Sequence, residues 1–395
     1  MAAHILVAGG GIGGLASALA LSRHGHRIDV LEQAAAFGEI GAGVQLGPNI
    51  TRRLQALGLG KALAAVAAQP DALVVRSAAS HAELARLPLG KAMQQRYGAP
   101  YLCVHRADLH GLLCDAVRAH SAVVTLNTDA RLVEAASSDA LVCASSADAR
   151  AWEGDALVGA DGLWSAVRKQ VEPNDVPPRR TGHTAWRALV AQSALPVALR
   201  NGQRVDVWLG PRLHAVAYPV RGGEALNVVV VAESATPAGD ARDWDQASSL
   251  AALQQATGRT GAALQALLEA MPAWRAWTLA DRTPLSSADT MARGRVALVG
   301  DAAHPMLPYL AQGAGMAIED AVALADALGS GGPAEVPQAF RRYASARWQR
   351  NAQVQARARR NGEFFHATGP VRLGRDLAMR VLGAGLLDQP WLYAG

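Results

Sequence analysis

Cysteine is scarce in this chain: three residues in 395, at Cys103, Cys114 and Cys143. Their spacing fits no metal-ligand pattern, and an odd number leaves no complete disulfide framework. They read as reduced structural thiols of a cytoplasmic protein. Blocks of like charge are also missing. The 38 Lys and Arg outnumber the 33 Asp and Glu by five, but the basic residues are scattered, which excludes nucleic acid as an expected partner. Internal repeats and low-complexity tracts are absent, so no solenoid is expected. Outside the N-terminus no apolar run approaches the ~20 residues that span a bilayer. Ile5 to Ser22 carries no charge, yet no Lys or Arg precedes it. Its five glycines would each weaken a spanning helix by about 1 kcal/mol relative to alanine. That stretch reads as the start of a folded domain rather than a signal or an anchor.

What is present begins there. An apolar strand over His4–Ala8 runs into Gly9-Gly10-Gly11-Ile12-Gly13-Gly14, then a helix, then a second strand ending on Glu32. Gly9, Gly11 and Gly14 occupy the three glycine positions of a dinucleotide fingerprint. The first permits the tight turn, the second admits a pyrophosphate close to backbone, and the third lets helix and strand pack closely. The helix N-terminus offers free N–H groups and partial positive charge to phosphate. Gly13 lies within the same loop, and Glu32 is placed to accept hydrogen bonds from a ribose.

A chain of this length exceeds one ordinary core, so two domains are expected. A glycine-punctuated loop spans Phe37 to Asn49, with Asn49 expected to cap the next helix. Leu73 to Pro88 breaks the α/β rhythm. Asp108 is a candidate cap for the helix opened by His105-Arg106. Ala156-Leu157-Val158-Gly159 reads as a buried strand running into Asp161-Gly162. From Thr181 to Val230 the pattern becomes a meander of strands joined by Gly-Pro and Gly-Gly turns, distinct from the parallel opening. Ala247 to Met271 reads as helix, Arg295 to Asp301 as a return to parallel sheet, Ala314 to Leu328 as helix, and Gln338 to Arg360 as a long basic helix. The solvated-face reading is preferred for the basic residues of that last helix.

Three separated segments carry a family resemblance: the fingerprint, Gly159-Ala160-Asp161-Gly162 with Ser165 and Arg168, and Gly300-Asp301-Ala302-Ala303-His304-Pro305. With Gly41 to Asn49 and Ala311-Gln312-Gly313-Ala314-Gly315, the chain resembles the class A flavoprotein aromatic monooxygenases. The similarity is greatest to salicylate hydroxylase, 3-hydroxybenzoate 6-hydroxylase and 6-hydroxynicotinate monooxygenase. The resemblance implies an α/β fold: a Rossmann-type FAD-binding domain, a smaller antiparallel β-sheet substrate domain and C-terminal helices. The domains would be 1-72, 100-178 and 281-335 for FAD, 73-99 and 179-280 for substrate, and 336-395 for the helical region. It further implies FAD as cofactor and NADH or NADPH as transient co-substrate, since no second fingerprint follows the first.

By the same resemblance Glu32 holds the adenosine ribose, Arg106 contacts the cofactor and Asp301 binds the ribitol chain. Asp161 is cofactor-associated without a stated atom, and Gln45 belongs to the cofactor loop. Gln312, Gly313, Ala314 and Gly315 would aim a helix N-terminus at the flavin, stabilising negative charge there. Pro308 would pack beside the isoalloxazine, with Pro305 as the competing candidate. His304 reads as a structural hydrogen-bonding residue.

His214 and Tyr218 are four residues apart on one strand, so they share a face about 13 Å apart at 3.3 Å per residue. They resemble the His and Tyr of the hydroxybenzoate 6-hydroxylases, where the histidine is base toward the substrate phenol. Gln45 departs from the histidine that 6-hydroxynicotinate enzymes carry in this loop. The implied reaction uses NAD(P)H and O2 to hydroxylate a small aromatic acid through a flavin C4a-hydroperoxide. Alternatives are 6-hydroxynicotinate, a larger polycyclic substrate, or a non-catalytic flavin-binding redox sensor. Monomer and homodimer both stay open.

Overall fold

The computed structural model describes residues 2–38, 41–234, 240 and 242–395. Among the described residues, two large sheets organise the chain. The first has six strands in the order Ala292–Arg293, Val296–Leu298, Ala156–Gly159, His4–Ala8, Arg27–Leu31, Val124–Asn127. All neighbours are parallel except the first pair. Ile5 pairs with both Ala156 and Ile28, and Val158 with Ala297. A parallel register of this kind makes the five parallel strands leave the sheet at the same edge. Gly9, Glu32, Asp161 and Asp301, far apart in sequence, therefore converge at the carboxyl ends of adjacent strands, where ligands bind in open α/β sheets.

The central strands are largely apolar because both faces are covered. Ile5, Leu6 and Val7 are fully buried, as are Leu157 and Val158, the pattern of a parallel sheet packed between helices. Helix Ile12–Ser22 and helix Gly313–Leu328 pack against each other beside it.

The second sheet has eight strands, ordered Gln246–Ser248, Trp274–Asp281, Arg179–Ala191, Ala225–Glu233, Leu213–Val220, Arg204–Gly210, Ala72–Ser77, Glu83–Pro88. The expected meander is its centre. The sheet is not wholly antiparallel, however: Ala72–Ser77 joins Arg204–Gly210 in parallel, with Val74 opposite Asp206. The Leu73 to Pro88 excursion thus becomes an edge hairpin of this sheet. One face, carrying Ala215, Ala217, Val228 and Val230, is sealed by Leu253, Leu264 and Leu267. Those residues come from two helices, Leu250–Thr257 and Ala262–Glu269, separated at Gly258 rather than continuous as expected. Tyr218 and Val220 point to the opposite face and pack with Met316, Val354 and Met379 of the other half.

Two expected caps are corrected. Helix Pro48–Ala56 has Gly47 at its N-cap, and Asn49 is buried inside it. Helix Arg106–Arg118 has His105 at its N-cap, with Asp108 in the first turn, where a carboxylate still favours the helix dipole. The long basic helix, Val336–Phe365, is not simply solvated. Arg347 bonds Glu319 and Asp320 at 2.8 Å each, and Arg350 bonds Glu319 at 2.7 Å. Burial opposes ionisation of Asp320, but His304 and Arg347 overcome it and hold the carboxyl below its usual range. No described helix is long and apolar enough to cross a membrane.

Candidate functional site

The fingerprint glycines are required by sterics. Gly9 has φ +100, and a Cβ there would come 2.5 Å from the carbonyl oxygen of Ala160. A Cβ on Gly14 would overlap the Gly9 carbonyl itself. Gly11 caps helix Ile12–Ser22 without a side chain, and no acidic residue sits in the first turn, which suits a bound diphosphate. Glu32 is held in place: Gly10 N donates to Oε2 at 2.7 Å and Ala34 N to Oε1 at 2.8 Å. Each carboxylate oxygen keeps a further lone pair for a ribose hydroxyl. His110, not anticipated from sequence, braces the loop through a 2.8 Å contact with Gly10 O.

Gly13 joins this loop to the other half of the groove. A Cβ on Gly13 would lie 3.2 Å from Ala317 Cβ, and one on Gly300, φ +56, would lie 2.8 Å from the same atom. The Gly300-Asp301 turn and helix Gly313–Leu328 are thereby drawn against the fingerprint helix. Asp301 Oδ1 lies 3.9 Å from where Gly313 would carry a Cβ, beside the N-terminus of helix Gly313–Leu328. Strand-end glycines, a fixed carboxylate, a second acid and a helix N-terminus along one edge fit an extended dinucleotide such as FAD.

Several residues assigned to the cofactor do other work. Asp161 accepts from Ser165 Oγ at 2.5 Å, Ala166 N at 2.7 Å and Val167 N at 3.2 Å. Its carboxylate is occupied within its own loop, where burial pushes its pKa up. Gln312 accepts from Asn49 Nδ2 at 3.2 Å through its side-chain oxygen. Gly315 exists for packing, since a Cβ there would collide with Ile50. Gln45 accepts from the Tyr101 hydroxyl at 2.7 Å and also bonds Tyr218, which puts it on the substrate-sheet side. The Arg106 guanidinium lies 5.1 Å from the centre of the Trp244 ring, while its backbone N donates to Ala42 O at 2.9 Å.

His214 and Tyr218 share strand Leu213–Val220 and are both buried. Tyr218 closes on Gly43, where a Cβ would overlap its ring. Burial raises the Tyr218 pKa. His214 sits at the other end, its ring 5.2 Å from Tyr309 and 5.4 Å from Phe365. Tyr309 follows Pro308 in a short turn, so the structure does bring the Pro308 segment to His214. His214 Nδ1 meets His366 Nε2 at 2.9 Å. Burial, then His366 and His183, hold the His214 pKa well below the ordinary histidine value. A neutral imidazole has one nitrogen able to take a proton. Sequence reasoning missed His366, Tyr309 and His183; the only signal was Phe364-Phe365-His366 ending a basic helix.

The FAD binding domain family matches residues 2–358. The chain is 40% identical over 374 residues to 3-hydroxybenzoate 6-hydroxylase of Polaromonas naphthalenivorans (strain CJ2), covering 94% of this chain and 90% of that protein. Among solved structures it is similar to Klebsiella pneumoniae HpxO complexed with FAD and uric acid, with TM-score 0.84, 26% identity, and 97% and 94% of the two chains covered. A salicylate hydroxylase substrate complex matches with TM-score 0.81 and 25% identity, over 100% of this chain and 96% of that one.

Proposed function

The chain belongs to the FAD binding domain family as a flavoprotein monooxygenase, and from that premise we propose that it hydroxylates a small phenolic aromatic acid of the 3-hydroxybenzoate type. One observation carries the substrate reading: a buried His214 and a Tyr218 on one strand face, in a chain 40% identical to a 3-hydroxybenzoate 6-hydroxylase. Bound FAD supplies hydride acceptance from NAD(P)H and activation of O2. The protein's own share is binding, orientation and one proton. Glu32 holds the ribose, Asp301 the ribitol chain, and the N-terminus of helix Gly313–Leu328 offsets negative charge on the flavin ring. His214 takes the phenol proton at Nε2, since Nδ1 is engaged with His366. The phenolate so formed is an electron-rich ring, prepared for electrophilic oxygen. Tyr218, its pKa raised by burial, stays protonated and donates a hydrogen bond to the substrate.

The test is NADH and NADPH oxidation by purified yellow protein with salicylate, 3-hydroxybenzoate, 4-hydroxybenzoate and 6-hydroxynicotinate, with product identification. The expected result is stimulation by 3-hydroxybenzoate with stoichiometric dihydroxybenzoate. Stimulation and turnover of 6-hydroxynicotinate alone would move the substrate to the pyridines. No stimulation across a broad aromatic panel would leave a flavin-binding sensor.

A further inference from the structure

Beside His214 lies a second cluster, of which the hydroxylation reading uses only His366, as the partner of His214 Nδ1. His183 and Glu233 are register partners on adjacent strands, and His366 follows helix Val336–Phe365. One ligand atom from each of the three lies within 4.8 Å of the others. All three border a cavity of about 430 Å3. Each histidine has one ring nitrogen already engaged: His183 Nδ1 with the Tyr309 hydroxyl at 2.6 Å, and His366 Nε2 with His214 at 2.9 Å. His366 Nδ1 is buried and has no hydrogen-bond partner among the described residues. Metal-binding histidines adopt this state, with one nitrogen held by a hydrogen bond and the other turned to the ion.

We propose that His183, Glu233 and His366 bind a divalent ion of the zinc class, and that its occupation disables His214. Two imidazoles, one carboxylate and an open fourth position toward a cavity make a donor set suited to zinc. Donor-to-metal distances near 2.0–2.2 Å require the three donors to draw closer than 4.8 Å. Glu233 has an exposed side chain that can turn toward the ion on leaving its 3.5 Å ion pair with Arg212.

The coupling to His214, which rests on its reading as base, follows from hydrogen count. A metal on His366 Nδ1 leaves the ring proton on Nε2, which donates to His214 Nδ1. The His214 proton then resides on Nε2, the nitrogen that faces substrate, so it has no lone pair there. Without metal, His366 Nε2 accepts from His214 Nδ1–H, and His214 Nε2 is open to a phenol proton. Occupation of the cluster selects the wrong tautomer.

Equilibrium dialysis of the tag-free, flavin-loaded protein against Zn2+ measures binding directly, without reference to turnover. One zinc ion per chain is expected, with Glu233→Gln and His183→Asn each weakening it by at least about tenfold. Glu233→Gln should keep parental hydroxylation and escape the zinc inhibition that the parent shows and that a chelator reverses. Absence of bound zinc in the parent, or unchanged affinity in both variants, overturns the site. Zinc that binds and is lost in the variants but leaves parental hydroxylation undiminished overturns the switch. A failure of His214 as base appears separately, as full hydroxylation by metal-free His214→Asn.

Discussion

The carbonyl oxygen of Ala303 accepts a 2.6 Å hydrogen bond from Nη1 of Arg168, which also reaches Ala302 O at 2.9 Å. Arg168 is buried and is further paired with Asp175 and Glu172. It ties the Asp161-Gly162 loop to the Gly300-Asp301 loop and so sets the position of Asp301 without being placed to touch a cofactor. Replacing it with methionine removes the donor to the buried Ala302 and Ala303 carbonyls and leaves Arg282 as the remaining cation on Asp175, a loss of about 1–3 kcal/mol. Arg168→Met is expected to lower the unfolding midpoint and to release FAD at lower temperature than the parent. Differential scanning with flavin fluorescence checks it; an unchanged release temperature would mean the two loops are positioned independently.

Glu32 and Asp301 hold opposite ends of the proposed cofactor path, and their substitutions should differ. Glu32→Gln keeps the contact to one backbone N–H but loses an acceptor and the charge. We expect FAD affinity to fall about 10- to 150-fold, the equivalent of one charge-assisted hydrogen bond at 1.5–3 kcal/mol. Asp301→Ala removes an exposed acid, and the protein should purify largely colourless. The ratio of flavin to protein absorbance after gel filtration reports both. Full occupancy in Asp301→Ala removes its assigned role.

What the sequence made legible were the places where backbone geometry allows few residue types. Gly9 and Gly14 are forced by contacts shorter than any Cβ tolerates, and such demands leave a local mark. Glu32 and Asp301 were legible because strand ends followed by acids form a pattern within a few residues. The parallel pairing of Ala72–Ser77 with Arg204–Gly210 joins segments some 130 residues apart, and nothing local encodes it. The same holds for His366, whose contact with His214 joins residues 152 positions apart. Nothing local in sequence showed that the Asp161 oxygens accept from Ser165, Ala166 and Val167 of their own loop. The bond from Asn49 to the Gln312 side chain, across 263 positions, is equally non-local.

His214→Asn separates flavin reduction from oxygen transfer. Asparagine preserves polarity and approximate size but has no basic nitrogen, and loss of a positioned base costs about 10²–10⁴-fold. The variant should retain FAD and consume NAD(P)H when substrate is present, releasing hydrogen peroxide in place of hydroxylated product. Peroxide and product measured in one reaction give the coupling ratio. Efficient coupling would assign the proton elsewhere.

Acid should destabilise the protein through its buried histidines before its carboxylates matter. Burial lowers His214 well below the ordinary value, and burial with His183 and Arg375 lowers His366 to about 3. Above the unfolded value of about 6.5 both states are neutral at these positions and nothing is lost. As pH falls below that, the unfolded chain binds protons that the folded chain refuses. Each such histidine then contributes up to about 1.4 kcal/mol of lost stability per pH unit, continuing toward the folded value. Urea unfolding at pH 7, 6 and 5 should show a steepening decline, and His366→Gln should flatten it by close to one proton between pH 6 and 5. The comparison is of slopes within one protein pair, so a constant offset from the lost ring contacts drops out. Equal slopes in parent and variant would show that His366 protonates in the folded state over this range.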